Sequence, residues 1–393
     1  MPIPSGHLDA SSYALINGAL TQAGYENPQV FFDTAFYDKF SQVKWTQFFT
    51  ESAGSINKTY TQLRGNKTLP VMAAYVSWDA KGPKISTDSI AVTTDTMPRM
   101  KLSFDVNEKA MDEMQKIMTY YSGNADFSEL FTIFAKNTVD LLRGIHAQIS
   151  YTALQILSTG RYIASELNNR GGVTSLAVDF HVPAANKKLC GAGTYGKKYA
   201  WSSDSANPIG DLQDIMQYCE DNLIPIGEFC MNKATYNLMK NHASTKLALA
   251  MDETLGQYSE ANLAKYIVKP GVLTAYLDSL GLVPITVVDD AFGVQVFDPA
   301  KNEIVQKNLR GFADGVVVAK PAGPVGELQW SKPNLSWGTA SNPVYTAEGG
   351  KFKVKELIDS DKESMEVEVS FTGITVPSRV EHLIYLDITQ ATA

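Results

Sequence analysis

The sequence predicts an α+β chain. Three observations predict it. A strand, a polar stretch punctuated by Gly and Pro, and a second strand follow one another between Val71 and Val106. A helical pattern far longer than usual then runs to Gly160. From about Pro208 to Pro343 short helices alternate with strands, and a pure strand pattern closes the chain.

In order, residues Met1 to about Ser55 are interrupted by Pro2, Pro4, Gly6, Gly18, Gly24 and Pro28, with short helical pieces at Ser11–Leu20 and around Phe31–Phe49. The aromatics Phe31, Phe32, Phe36, Tyr37, Phe40, Trp45, Phe48 and Phe49 are too many for a disordered tail. They suit an arm that packs along a neighbour; a helix pair in the subunit's own core is the alternative. Thr68 to Ser77 reads as a strand and Met100 to Val106 as its return. Gly82, Pro83 and Pro98 sit between them among polar residues, as in an exposed ribbon and its tip. An isolated two-stranded ribbon is marginal in water, so this one is expected to lean on a second copy of the chain, with Trp78 to Met97 intermolecular.

The helical pattern comes in two pieces. Asn107 can cap Glu108–Tyr121, and Gly123-Asn124 interrupts the run. Asp126-Phe127-Ser128-Glu129 then has the look of a capping box. Phe127, Leu130, Phe134, Thr138, Leu141, Ile145, Ile149, Ala153 and Ile156 step by three or four along one face, and Gly160 is a natural stop. Such a helix is roughly 50 Å long, about three times the globular average, and reads as a spine. Beyond Gly171-Gly172, residues Leu176, Val178, Phe180 and Val182 share one strand face, with Asp179 and His181 on the other. A polar connection, Lys187 to Ser203, leads into an α/β module. Its expected helices are Ile209–Asn222, Asn232–Asn241 and Val272–Leu280; its expected strands are Ile285–Val288, Val294–Phe297 and Gly315–Ala319. In the tail Val367, Val369 and Phe371 alternate with charges, and Arg379–Ile388 forms a last strand.

Bulk numbers narrow the function. The 393 residues can bury a large core, and only 19% of them are charged. A net charge of −8 without any Lys/Arg-rich run argues against a dedicated nucleic-acid binder. The acidic run Asp359, Asp361, Glu363 and Glu366, with Lys362 in between, is expected to be a solvated turn. Three cysteines, Cys190, Cys219 and Cys230, make no disulfide framework and suit a reducing compartment. No basic n-region followed by an apolar h-region opens the chain, and no apolar run reaches the ~20 residues of a spanning helix, so a protein made in a cytoplasm and free of membrane is expected.

Candidate chemistry is thin. Gly191-Ala192-Gly193-Thr194-Tyr195-Gly196-Lys197-Lys198 satisfies G-x-G-x-x-G and nearly the phosphate-loop pattern. Both motifs need a buried strand before them and a helix after, which the flanking residues do not supply. Lys198 also stands where a magnesium-binding hydroxyl belongs, so a flexible surface loop is expected. His181, Cys190, Cys219 and Cys230 lack zinc-site spacing, and His146 lies on the spine beside Ile145, where a satisfied polar role is expected. Asp289-Asp290 ends a strand run where a catalytic acid can stand, but acidic residues there are also ordinary turn formers. No nucleophile elbow is present. Neither catalysis, cofactor nor metal is therefore expected.

The order of elements resembles that of the major capsid proteins of tailed bacteriophages with the Hong Kong 97-type fold, in particular the lambda-type capsid protein E family. The residues that carry the likeness are Met72-Ala73-Ala74-Tyr75-Val76-Ser77 with Lys81-Gly82-Pro83-Lys84-Ile85, and Thr96-Met97-Pro98-Arg99-Met100-Lys101. Further matches are Leu154 to Tyr162, Trp201-Ser202 leading to Asp211, Val287-Val288-Asp289-Asp290 and Pro321-Ala322-Gly323-Pro324-Val325-Gly326. The arm before residue 55 and the acidic segment Asp359–Glu366 depart from the family pattern. The resemblance implies an N-terminal arm (1–55), an extended β loop (56–107), a peripheral domain with the spine helix (108–207), an axial domain (208–344) and return strands of the peripheral domain (345–393). It implies a major capsid protein that self-assembles as hexamers and pentamers into an icosahedral shell in the host cytoplasm. That shell becomes the capsid of the virion, and scaffold, portal and possibly decoration proteins are its partners. It encloses DNA without specific binding. The loop residues Trp78, Lys81, Lys84, Ile85, Met97 and Arg99 would touch the adjacent subunit. The alternatives are a cellular nanocompartment shell on the same fold and a nucleotide-binding enzyme using Gly191–Lys198. Some members of the fold crosslink a loop lysine to a neighbour's asparagine; Lys81 and Lys84 lie in the loop, but no partner asparagine or acid is marked.

Overall fold

The structure is a computed structural model that describes residues 44–65, 90–106, 128–169, 175–252, 267–298, 303–336, 344–359 and 364–392. It mixes one very long helix with two larger sheets and several short ribbons, so the chain is α+β.

The spine, α1, is Ser128–Thr159, 32 residues long. Leu141, Leu142, Ile145, Ile149, Ala153, Ile156 and Leu157 recur at helical spacing and are buried, and this face holds the helix to the rest of the chain. It stops where expected. Gly160 takes φ +70°, and its N–H donates to the Ile156 carbonyl at 2.8 Å. A Cβ at Gly160 would lie 2.3 Å from Val182 Cγ2, so Gly160→Ala adds a clash to a left-handed backbone. We expect it to lower stability by about 1–3 kcal/mol, read as a fall in the thermal midpoint; an unchanged midpoint would contradict this role. The glycine turns the chain into a short ribbon of β5 (Arg161–Ile163) and β6 (Ala177–Asp179). As the alternation predicts, Val178, Phe180 and Val182 are buried while Asp179 and His181 face out.

Sheet one is built around β16 (Ser364–Pro377). Along Met365–Thr372 it pairs with β4 (Arg99–Val106), and along Gly373–Pro377 with β13 (Gly326–Trp330). On its other edge β16 pairs with β15 (Phe352–Asp359), which pairs in turn with β14 (Val344–Ala347), while β1 (Phe49–Glu51) lies parallel to β13. The second sheet has the order β7-β17-β12-β8-β9, from Lys187–Cys190, Ile384–Ala391, Val316–Lys320, Glu228–Met231 and Ile285–Val287. Helices α2 (Pro208–Asp221), α3 (Lys233–Asn241), α4 (Ala243–Asp252) and α5 (Pro270–Ser279) accompany it. Asn232 caps α3, accepting the Thr235 N–H at 2.8 Å. In β12 and β8, Val318 and Cys230 join the core built around the spine, while Val317, Ala319, Phe229 and Met231 join the core with the helices. Strands covered on both faces read as continuous apolar runs, and β12 does.

Four expectations change. Met100–Val106, expected to return along the ribbon, pairs with β16, and the ribbon's described strands are β2 (Thr59–Gly65) and β3 (Ile90–Thr96). The strand expected at Thr68–Ser77 and the helix at Glu108–Tyr121 lie outside the described residues. Trp45, Phe48 and Phe49 are buried in the chain's own main core rather than laid along a neighbour, because β1 docks them under β13. The span 345–393 does not return as one piece: β14 to β16 belong to sheet one, but β17 crosses to pair with β12 and β7. β13, inside the expected axial span, belongs to sheet one.

One polar group interrupts the inner row of β15. Phe352, Val354 and Glu356 all point into the core, and burial pushes the Glu356 carboxyl up to about 7. A carboxyl raised in the folded state supports folding fully below its unfolded value and loses that support as pH rises through about 7. Glu356→Gln should therefore be more stable than the parent at pH 8, by on the order of 3 kcal/mol, with the gap closing toward pH 5. Denaturant midpoints across that range are the measurement; a gap independent of pH would sink the assignment.

Candidate assembly site at the root of the ribbon

Seven antiparallel pairs, from Thr59↔Thr96 to Gly65↔Ile90, make the described part of the ribbon. Its root is welded to the subunit. Tyr60, Gln62 and Met97 are buried, and Tyr60 stacks at a tilt on Phe180 with ring centres 6.2 Å apart. Burial, then the Asp95 carboxylate, holds the Tyr60 hydroxyl above its usual range. The side-chain amide of Gln329 on β13 completes the anchor. Its Oε1 accepts the Thr61 N–H and its Nε2 donates to the Thr61 carbonyl, both at 2.9 Å, as a neighbouring strand would. Gln62 Nε2 donates to the Phe180 carbonyl at 3.4 Å. Away from the root the ribbon pairs only with itself among the described residues, and Val92 is 60% exposed. Ile56, beside its base, is 86% exposed.

Of the six loop residues expected to touch a neighbour, Trp78, Lys81, Lys84 and Ile85 lie outside the described residues. Met97 is part of the chain's own core, at the hinge between β3 and β4. Arg99 stands exposed on β4, where it donates to Ser370 Oγ at 3.2 Å and lies 3.8 Å from a Glu368 oxygen. The pattern of the ribbon gave no hint of Gln62 and Gln329, because a polar residue in a strand does not announce a backbone partner on a distant one.

The glycine-rich loop lies at the surface as expected, but it is tied down. Its backbone donors are already occupied by carboxylates from the start of α2. Asp211 Oδ1 accepts the Gly191 N–H at 2.7 Å and Oδ2 accepts Trp201 Nε1–H at 2.8 Å. Asp214 accepts the N–H groups of Tyr195 and Gly196, each at 2.7 Å. A Cβ at Gly193 would lie 2.3 Å from Asp214 Cγ, and one at Gly196 would lie 2.1 Å from Asp211 Oδ1, so the glycines serve this close approach. The loop is an anion nest filled by the protein's own anions. A nucleotide phosphate would have to displace them.

The other candidates resolve as structural groups. Asp289 pairs with Arg310, and Asp290 lies 3.8 Å from Lys44 Nζ. His146 on the spine meets Glu348 at 2.8 Å, and Lys351 joins Glu348 to Glu51. Burial pushes the thiols of Cys190 and Cys230 up to about 12 and that of Cys219 to about 11, so all three are poor nucleophiles. Among the described residues no three His, Cys, Asp or Glu side chains gather as a metal site, and no helix is long and apolar enough to cross a membrane.

Comparison with known proteins adds the family. No curated protein matches the chain. Among solved structures, a phage-related protein from Bordetella bronchiseptica RB50 is similar at 10% identity over 99% of this chain and 100% of that one, with a TM-score of 0.43. A putative prophage capsid protein from E. coli CFT073 is similar at 12% identity over 98% and 99%, also with a TM-score of 0.43. The capsid of Myoviridae phage XM1 is similar at 12% identity over 86% and 88%, with a TM-score of 0.38. The family model described as phage major capsid protein E matches residues 23–265, a span that takes in the ribbon root, the whole spine and the self-filled glycine loop, and with more than half of its length matched the chain belongs to that family.

Proposed function

We propose that this chain is the repeating subunit of an icosahedral shell of the Hong Kong 97 type, built from its own hexamers and pentamers and enclosing a phage genome. The observation that carries the reading beyond family membership is the ribbon. Its root is fastened by Tyr60, Gln62 and Met97, yet Val92, farther out on β3, is left uncovered. A ribbon without a core of its own gains stability by lying on another surface, and in a shell that surface is the adjacent copy. Trp78, Lys81, Lys84 and Ile85 are then its contact residues, and Arg99 borders the contact from β4. Sheet one with the spine serves as the peripheral domain and the second sheet with its helices as the axial domain. The net charge of −8 suits a container that holds DNA without adsorbing it tightly. Assembly takes place in the host cytoplasm with a scaffold and a portal, and the product is the virion capsid. Electron microscopy of the purified chain, alone and with its scaffold, tests this reading. Capsomers or closed shells are expected, and a chain that stays monomeric in both preparations would overturn it.

A further inference from the structure

Resting on the shell reading, we propose that the outer face of sheet one is a contact between two copies of this chain, the basic end of one face lying against the acidic end of the other. The register puts the charges on this face. β16 carries Glu366, Glu368, Ser370 and Thr372 in one row, opposite Asp105, Ser103, Lys101 and Arg99 of β4. On its other side Glu368 faces Lys355 and Ser370 faces Lys353 of β15. One end of the face therefore gathers Arg99, Lys101, Lys353 and Lys355, and the other gathers Asp105 and Glu366. Arg99 and Asp105, six residues apart on one strand, are separated by about 20 Å.

Among the described residues, each end is poorly balanced within its own subunit. At the basic end Arg99 and Lys101 share the single carboxylate of Glu368, at 3.8 and 2.7 Å. Lys353 donates to the Asn334 carbonyl, a neutral acceptor, at 3.0 Å. Burial first, then the nearby charges of Arg99 and Lys355, hold the Lys353 ammonium below its usual range. At the acidic end Asp105 stands directly across from Glu366. Like charges in direct cross-strand register are destabilising, and so is a crowd of cations. A second copy turned end for end places each surplus against its opposite, which relieves both. In a chain of net charge −8 the basic end is an island of the wrong sign. Such complementarity fixes register and partner, as a lattice of one repeated chain requires.

The test uses the full chain. Lys353→Glu with Lys355→Glu removes the positive surplus of the basic end, where Arg99 and Lys101 remain beside Glu368, and Asp105→Lys with Glu366→Lys turns the acidic end basic. Each alone should lower the yield of shells about tenfold or more at low salt, and a mixture of the two should restore it, since each then meets its opposite. Asp105→Asn separates assembly from folding: removing its repulsion with Glu366 should raise the subunit's thermal midpoint while lowering shell yield. If the reversed chains assemble as the parent does, or if both fold and their mixture does no better than either, the contact is elsewhere. If the parent chain forms no shells at all, the shell reading falls and this contact falls with it.

Discussion

A chain in which residues 66–89 are replaced by Asn-Gly should fold normally and form no shells. Gly65 pairs with Ile90, so a two-residue turn can close the shortened hairpin there. The anchors of the ribbon, Tyr60, Gln62 and Met97 with the Gln329 amide, all lie below the cut. The isolated subunit should therefore lose less than about 1 kcal/mol, visible as a nearly unchanged thermal midpoint. Assembly should fail altogether, because the removed segment carries Trp78, Lys81, Lys84 and Ile85, the residues proposed to lie on the neighbour. Thermal denaturation and electron microscopy of the same preparation read the two effects separately. Wild-type particles from the shortened chain would show that the ribbon is not an assembly device. A midpoint that collapses would show instead that it belongs to its own subunit's core.

How much of this was legible in the sequence depended on whether the partner was near in the chain. The spine was legible because its apolar face repeats within itself and Gly160 ends it with a backbone conformation that suits glycine. Val178, Phe180 and Val182 were legible from simple alternation. Strand partners were not. Met100–Val106 has the same local pattern whether it returns along a ribbon or joins β16 near the other end of the chain, and nothing in residues 100–106 names the partner. β17 was misplaced for a like reason: Ile384, Leu386 and Ile388 satisfy either sheet, and only the fold sends them to β12. Aromatic density before residue 50 spoke for burial without saying in which subunit, and Trp45, Phe48 and Phe49 chose their own. The candidate site was half legible. A ribbon without apolar support could be read, but the amide clamp that fixes its root could not.

The glycine loop gives the last expected result: Asp211→Ala should cost about 3–5 kcal/mol of stability at neutral pH. Two donors, the Gly191 N–H and the Trp201 Nε1–H, would lose their acceptor, and Trp201 is fully buried. Each orphaned buried donor costs about 1–3 kcal/mol. The loss would spread, because Gly191 and Trp201 flank the loop that ties β7 to β17. The Gly191 carbonyl accepts from Thr392 Oγ1, and the Trp201 N–H donates to the Ile388 carbonyl. Asp211→Asn keeps one acceptor oxygen and turns an amide N–H toward the other donor, so it should cost roughly half as much. Burial, against the pull of those two donors, holds the Asp211 carboxyl above its usual range. The support from a raised carboxyl is complete below its unfolded value and fades as pH rises through the folded one. The penalty of Asp211→Asn should thus shrink as pH climbs through that interval. Asp214 makes the complementary case. It binds the Tyr195 and Gly196 N–H groups in the part of the loop nearer solvent, so Asp214→Ala should be the milder change. Were the loop instead a vacant phosphate cradle, both alanine variants would fold as the parent does and the parent itself would bind nucleotide. Chemical denaturation of the parent and the three variants, with a nucleotide titration beside it, distinguishes a nest filled by its own carboxylates from one that waits for a ligand.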